Sequence, residues 1–344
     1  MNNHTTIAVD LAKNVFQVAV SHRPGRVDKQ VRLSRARFLP FFDQHPNATV
    51  LLEACGSSHH WGRELVKRGH RVRLLPPHDV HRYVRRNKTD SADAQALLEA
   101  SRNHDIRPVP VKSVDQQAIA SLHRLRSAFL ATRTARINTV RGLLREFGIV
   151  FPLGTGRVVA RVRLLIDDAR APLPEVIREP IRIACDELDD IHRRVRTLES
   201  QLKQVAHQMP QARQLLAVPG IGVLTATALV AFVGDMRRFR SGRRFASYLG
   251  LTPREHSSGN RRRLGAISKK GDTYLRMLLI HGARSVLWAA KAKDEPDRLR
   301  AWALAIERHR GHNIAAVALA NKIARIAWVV TAKEKPYQLF KVAA

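Results

Sequence analysis

The hydrophobic period of this chain changes near residue 113, and that change constrains its fold more than any other feature. Before it, short β-rich runs dominate. TIAVDLA, VFQVAVS and RVDKQVRL, between residues 5 and 33, are broken by AKN and RPGR, the pattern of a three-strand meander. SRARFLPFFDQH then reads as a short helix, ATVLLEAC as a buried strand, SHHWGRELVKRG as an amphipathic helix and HRVRLLP as another strand, and Asp90 opens a further helix. This order predicts an α/β domain with a mixed sheet over residues 1–112. After it, VKSVDQQAIASLHRLRSAFLATRTARINTVRGLLREFG keeps a helical period for over thirty residues, which implies coiled-coil character. A second helical run covers about 173–208. Between the two, FPLGTGRVVARVR is expected to be a hinge or turn. Residues 113–208 therefore form a long helical insert.

Residues 209–335 are expected to be a mainly α C-terminal domain. MPQARQLLAVPGIGVLTATALVAFVGD is two apolar helices joined by PGIG, the form of a helix-hairpin-helix. Gly220 and Gly222 would permit the tight turn, and exposed backbone N–H groups there could hold a phosphate without reading bases. A plain αα-hairpin is the alternative. The basic loop RRRLGAISKKG, with Arg261, Arg262, Arg263, Lys269 and Lys270, is either a solvated charge run or a contact to a nucleic-acid backbone. A last helix pair ends near Val330.

Charge narrows the partners. Lys plus Arg number 60 against 29 Asp plus Glu, a formal net charge of +31, so the chain calls for a polyanion. Nucleic acid is the default, because neutralised phosphates release counterions. A membrane surface competes poorly: no basic amphipathic segment with an aromatic face stands out, and no apolar run approaches the roughly 18 residues of a spanning helix. Cys55 and Cys185 are the two cysteines, and MNNHTTIAVD lacks a signal-peptide layout, which together read as a reduced, cytoplasmic protein.

Against this positive charge, the placement of four acids stands out. Asp90 and Asp93 lie three positions apart at a helix start, where they serve either as caps or as metal ligands. Asp10 ends the first strand and Glu53 the fourth. A strand-end turn and a surface ion pair are their ordinary roles. If the two strands are neighbours and the Asp90 helix packs across their ends, four carboxylates converge. Buried together they would need cations, and hard oxygen ligands select Mg²⁺ or Mn²⁺. Two such ions about 4 Å apart suit phosphodiester chemistry.

These segments together resemble the IS110 family of insertion-sequence transposases, whose RuvC-like (ribonuclease H fold) N-terminal domain carries an Asp, Glu, Asp, Asp set. Its C-terminal domain carries a serine. IAVDLAKNVFQVAV and LLEACGSSHHW hold the first two acids, RRNKTDSADAQALLEA the second two, and VPGIGVLTATAL through YLGLTPREHSSGNRRRLGAISKKGDTYLR the C-terminal signature. The resemblance implies that Asp10, Glu53, Asp90 and Asp93 are catalytic metal ligands. It puts the family serine at Ser258, with Ser257 as the alternative, and implies that this serine holds a DNA end covalently during strand exchange. Donor and target DNA, a noncoding bridge RNA pairing with both, and a homo-oligomer, dimer or tetramer, are the implied partners. A bacterial cytoplasmic protein, nucleoid-associated when on DNA, is the implied setting. Cys55 departs from the family, which often has Thr or Gly there. Two rivals remain on the residues alone: a Holliday-junction nuclease using water with the same four acids, and a non-enzymatic nucleic-acid-binding protein.

Overall fold

Strand alternation builds the first unit, Met1–Asp115. The computed structural model describes residues 5–24, 26–84, 90–152, 154, 158–292 and 296–338. β1 (Thr6–Leu11), β2 (Val15–Ser21) and β3 (Lys29–Ser34) form the antiparallel meander. There follow α1 (Arg35–Asp43), β4 (Thr49–Glu53), α2 (Ser58–Lys67), β5 (Arg71–Leu75), the short α3 (Pro77–Val80) and α4 (Asp90–Ser101). The sheet order is β3-β2-β1-β4-β5, with β4 parallel to β1 and β5 parallel to β4.

Successive residues of a strand point to opposite faces, and both faces of this sheet are covered. Ile7, Val9, Phe16, Val18 and Val50 pack with Phe38 and Phe42 of α1 and with Trp61 and Leu65 of α2. Ala8, Ala19, Leu51 and Leu75 pack with Ala94, Leu97 and Ala100 of α4. The small residues on that second face leave room for α4 to lie close over β1 and β2.

The second unit is Gln116–Ala344. α5 (Val114–Arg145) leads into it, followed by α6 (Val158–Asp167) and α7 (Glu175–Gln208). α5 and α7 run antiparallel, tied by Arg126–Glu199 at 2.7 Å and Arg136–Glu187 at 2.6 Å. Ile137, Val140 and Leu144 bury against Ile181, Cys185 and Leu188, and α6 joins them through Val158, Val162 and Ile166. α6 corrects the sequence reading, which put a hinge or turn across VVARVR. Of that segment, residues 153 and 155–157 lie outside the described residues.

The remainder is α8 (Pro210–Leu216), α9 (Val223–Val233), α10 (Gly242–Tyr248), β6 (Pro253–Glu255), β7 (Leu264–Ile267), α11 (Thr273–Lys291), α12 (Arg298–Arg310) and α13 (His312–Ala332). β7 is a second correction, because residues read as a basic loop instead pair antiparallel with β6. α13 is a third: its 21 residues make it long and apolar enough to cross a membrane, contrary to the expectation of no such run. Leu319, Ala320, Ile323 and Ala327 are nevertheless fully buried in the helical core, so packing accounts for its apolarity.

Candidate active site

Asp10 and Glu53 are brought together by strand register. Val9 pairs with Leu52 as the last pair of the parallel β1–β4 ladder, so the next residues, Asp10 and Glu53, stand side by side at its end. Each follows by two a buried residue of the α4-covered face, Ala8 and Leu51, and the two-residue period puts both acids on that face. Both are half-buried. Cys55 reports the same proximity: burial pushes its thiol up, and the carboxylates of Glu53 and then Asp10 push it further. The turn that carries it is tight, with Cys55 N–H donating to the Glu53 carbonyl at 2.8 Å and the Ser58 hydroxyl to the Cys55 carbonyl at 2.8 Å.

α4, which carries Asp93, packs on the same face of the sheet. Asp93 is half-buried and sits one turn before the buried Leu97. Asp90 is the first residue of α4, and its side chain lies outside the described residues. Among the described residues, no group of three or more His, Cys, Asp or Glu side chains is close enough to hold a metal ion. The donors that do converge, Asp10 and Glu53, are hard carboxylate oxygens and so fit Mg²⁺ or Mn²⁺ rather than a thiophilic metal.

Ser258 occupies a different setting. β6 and β7 form a hairpin whose tip is Ser258-Gly259-Asn260-Arg261, closed by Ser258 N–H to Arg261 carbonyl at 3.3 Å and the reverse bond at 3.1 Å. Gly259 has φ +54°, which suits the first central position of a tight hairpin turn. The Ser258 side chain is exposed and makes no hydrogen bond to a described residue. Ser257 is engaged: its hydroxyl donates to Glu255 Oε1 at 2.8 Å and accepts from Arg263 N–H at 3.2 Å. Arg262 also reaches Glu255 at 3.3 Å, while Arg261, Arg263, Lys269 and Lys270 are exposed.

The root of this hairpin is rigid, which sequence reasoning missed. A Cβ on Gly250 would lie 2.1 Å from the Lys270 carbonyl, and one on Gly271 2.0 Å from the Tyr248 carbonyl. Ser268 N–H donates to Thr252 O at 2.8 Å, and Asp272 caps α11 by accepting from Leu275 N–H at 2.8 Å. The buried Arg276 donates to Leu249 O at 3.1 Å. The glycines of PGIG divide similarly. Gly220, at φ +84°, presses on α11, where a Cβ on Gly282 would come within 1.9 Å of the Gly220 carbonyl. Gly222 is exposed at the N-cap of α9 with nothing near its Cβ position.

The class of protein follows from its likenesses, which define an enzyme of DNA transposition with a RuvC-like N-terminal domain. Residues 7–149 match a family model described as a transposase with the DEDD set, and residues 212–297 match the model "Transposase IS116/IS110/IS902 family". A "Probable family 20 transposase" from Pseudomonas aeruginosa is 45% identical, covering 98% of this chain and 99% of its own length. The "Transposase for insertion sequence element IS1111A" of Coxiella burnetii is 36% identical over 98% of this chain and 92% of its own. That for element IS1328 of Yersinia enterocolitica is 35% identical over 96% and 98%. The chain belongs to the IS110 family of transposases.

Proposed function

We propose that this transposase cleaves and rejoins DNA through a serine–DNA intermediate, with Asp10, Glu53, Asp90 and Asp93 holding Mg²⁺ or Mn²⁺. The observation that carries the reading is the emergence of Asp10 and Glu53, side by side, beneath the helix that bears the other two acids. Bound there, the cations offset carboxylate charge and polarise a phosphodiester. The chain's own part is to hold the acids in register and to present the nucleophile. Ser258 Oγ attacks phosphorus, its proton passes to solvent, and one strand oxygen leaves as a hydroxyl. A hydroxyl of the partner strand then attacks the serine phosphodiester and returns Oγ to its protonated form. One phosphodiester is exchanged for another at each step, so no high-energy cofactor is required.

The engaged hydroxyl of Ser257 and the unbonded one of Ser258 favour Ser258 as nucleophile. Arg261, Arg262, Arg263, Lys269 and Lys270 surround it with charge suited to phosphates, and Gly222 offers the exposed turn of a helix-hairpin-helix. The antiparallel α5–α7 pair supports a coiled-coil-like insert over 113–208 between a catalytic domain, 1–112, and a serine-bearing domain, 209–335. Exposed Leu164, Val176 and Ile183 supply apolar area for a second copy, in a dimer or tetramer. In this reading a noncoding bridge RNA pairs with donor and target DNA in the bacterial cytoplasm, and the net charge of +31 suits both nucleic acids.

The test is denaturing electrophoresis of reactions with labelled DNA ends and Mg²⁺. Wild type should give a denaturation-resistant protein–DNA adduct, Ser258→Ala none, and Asp10→Ala neither adduct nor cleavage. Cleavage by Ser258→Ala without an adduct would instead identify a nuclease using water. Mixing the two inactive variants should restore some cleavage if different copies supply the acid set and the serine.

A further inference from the structure

A cavity of about 1000 Å³ in the second unit lies between α10, the start of α12, α13 and the segment 335–338. It shares no lining residue with the acids or with the serine hairpin. Arg243, Arg298, Lys322, Arg325 and Lys335 line it. Its one carboxylate, Asp297, is already committed: it caps α12, accepting from Leu299 and Arg300 N–H at 2.9 and 3.0 Å, and it pairs with the Arg300 guanidinium. None of the five lining cations forms an ion pair with a described residue. Lys322 rests on the Trp302 ring, 4.1 Å from its centroid. Burial, then Arg325 and Arg298, lowers its pKa, so three like charges crowd one wall. Such crowding disfavours the empty site and favours one holding an anion.

Apolar groups share the lining with these charges. They include Ile326, Val329, Pro336 and the half-buried Tyr337, and Val329 stays 39% exposed. A duplex keeps its bases paired and stacked and offers this concave site only phosphates. A single strand can lay an unstacked base on aliphatic and aromatic surface while its phosphates meet cations at the rim. The volume falls at the top of the roughly 300–1,000 Å³ range of ligand pockets, room for a nucleotide with its flanking phosphates.

We propose that this cavity binds an unpaired nucleotide of a single nucleic-acid strand, with its base against Tyr337 and Val329 and its phosphates on Lys322, Arg325 and Arg298. This rests on the chain acting on nucleic acid. Such a site would hold a strand opened during exchange or an unpaired stretch of a guide.

Fluorescence anisotropy of the full chain with a short labelled DNA strand, the RNA of the same sequence and the DNA duplex tests it. The Lys322→Gln, Arg325→Gln double variant should weaken single-strand binding by more than about tenfold and duplex binding by less than about twofold, unlike a sequence-blind phosphate contact. Arg161→Gln with Arg196→Gln removes equal charge from exposed positions on α6 and α7 and should affect both forms alike. A loss confined to DNA or to RNA identifies the source of the strand, and a loss on both means that either is accepted. Equal losses on strand and duplex, or losses no greater than those of the control, overturn the proposal. Should the double variant melt early, Arg325→Glu, at an exposed side chain, carries the same test. A strand bearing 5-iodouracil should also photocrosslink to Tyr337, and crosslinks found only elsewhere would overturn the site. Failure of wild type to bind any nucleic acid sinks both this proposal and the transposition chemistry. Absence of any Asp10-dependent cleavage, with the strand-specific effect intact, sinks only the latter.

Discussion

Asp10 and Glu53 follow directly on Val9 and Leu52, which are fully buried, whereas Ser258 sits at the tip between β6 and β7, whose residues are nearly all exposed. The acids are positioned by a core on both faces of a five-stranded sheet. The serine hairpin, beyond its own exposed ladder, is held at its root, where Gly250 and Gly271 allow backbone-to-backbone contact. The contrast matches the chemistry. In the proposed chemistry, metal ligands would hold a fixed geometry, while a nucleophile bonded to DNA would approach, carry and release a strand.

Breaking the acid side should have the largest effect. Glu53→Gln preserves shape and removes charge, so cleavage should fall by about a thousandfold or more, the scale on which catalytic groups acting as a unit fail. Melting temperature should stay close to that of wild type, because Gln keeps the shape of the side chain. Cleavage within tenfold of wild type, measured in Mg²⁺, would mean that these strand ends do not carry the chemistry.

The root and tip of the hairpin can be separated next. Gly271→Ala combines φ +96° with a Cβ driven against the Tyr248 carbonyl, and should cost roughly 2–4 kcal/mol of stability in thermal unfolding. Gly259→Ala at the tip has φ +54° and open space around its Cβ, so only the left-handed backbone cost of about 1 kcal/mol remains. Equal destabilisation would mean that root and tip are held alike.

The same contrast explains what could be read from sequence. β1 to β5 were legible because alternation survives where one or both faces are buried, and the side-by-side ends of β1 and β4 follow from their parallel pairing. β6 and β7 were not, because PRE and LGAI expose both faces and carry no period. α6 hid behind a Gly-rich start, and the carbonyls at its end are met from a distance: Arg178 on α7 donates to Ile166, Asp168, Ala171 and Leu173 oxygens. The glycine of PGIG that presses on Gly282 depends on a partner 62 positions away, beyond any local pattern.

Acid should loosen the hairpin root while sparing its tip. His123 on α5 is 1% exposed, with Nε2 3.0 Å from Thr227 Oγ1 on α9 and Nδ1 2.9 Å from the Tyr274 hydroxyl on α11, three residues past Gly271. Thr227 gives its own proton to Val223 O at 2.7 Å, which assigns Nε2–H as donor and Nδ1 as acceptor. Burial, then Arg126, lowers the His123 pKa to about 4. Arg126 faces it from its own helix, paired with Glu199 of α7, and α9 contributes no charged group beside Thr227 and Phe232. A histidine with a depressed folded pKa gives its full stabilisation above its unfolded value near 6.5 and loses it as pH falls toward 4. That loss is on the order of 3 kcal/mol. His123→Gln should be less stable at neutral pH yet lose less between pH 6.5 and 4 than wild type; parallel acid limbs would show that His123 titrates normally.

The smallest effect separates the two serines. Ser257 spends its hydroxyl on Glu255 and Arg263 N–H within an exposed hairpin, where water replaces lost hydrogen bonds, so Ser257→Ala should change stability by less than about 1 kcal/mol. Those bonds still aim the tip, since they tie the residue before Ser258 to both strands. Adduct formation should therefore slow severalfold in Ser257→Ala while the adduct itself persists, because the Ser258 hydroxyl is intact and exposed. Ser258→Ala should leave stability just as unchanged and remove the adduct entirely. The decisive measurement is the adduct peptide by mass spectrometry in the Ser257→Ala protein. DNA attached at Ser258 upholds the division between a hydroxyl that shapes the tip and one that reacts; an adduct lost from Ser257→Ala and kept in Ser258→Ala would exchange the two roles.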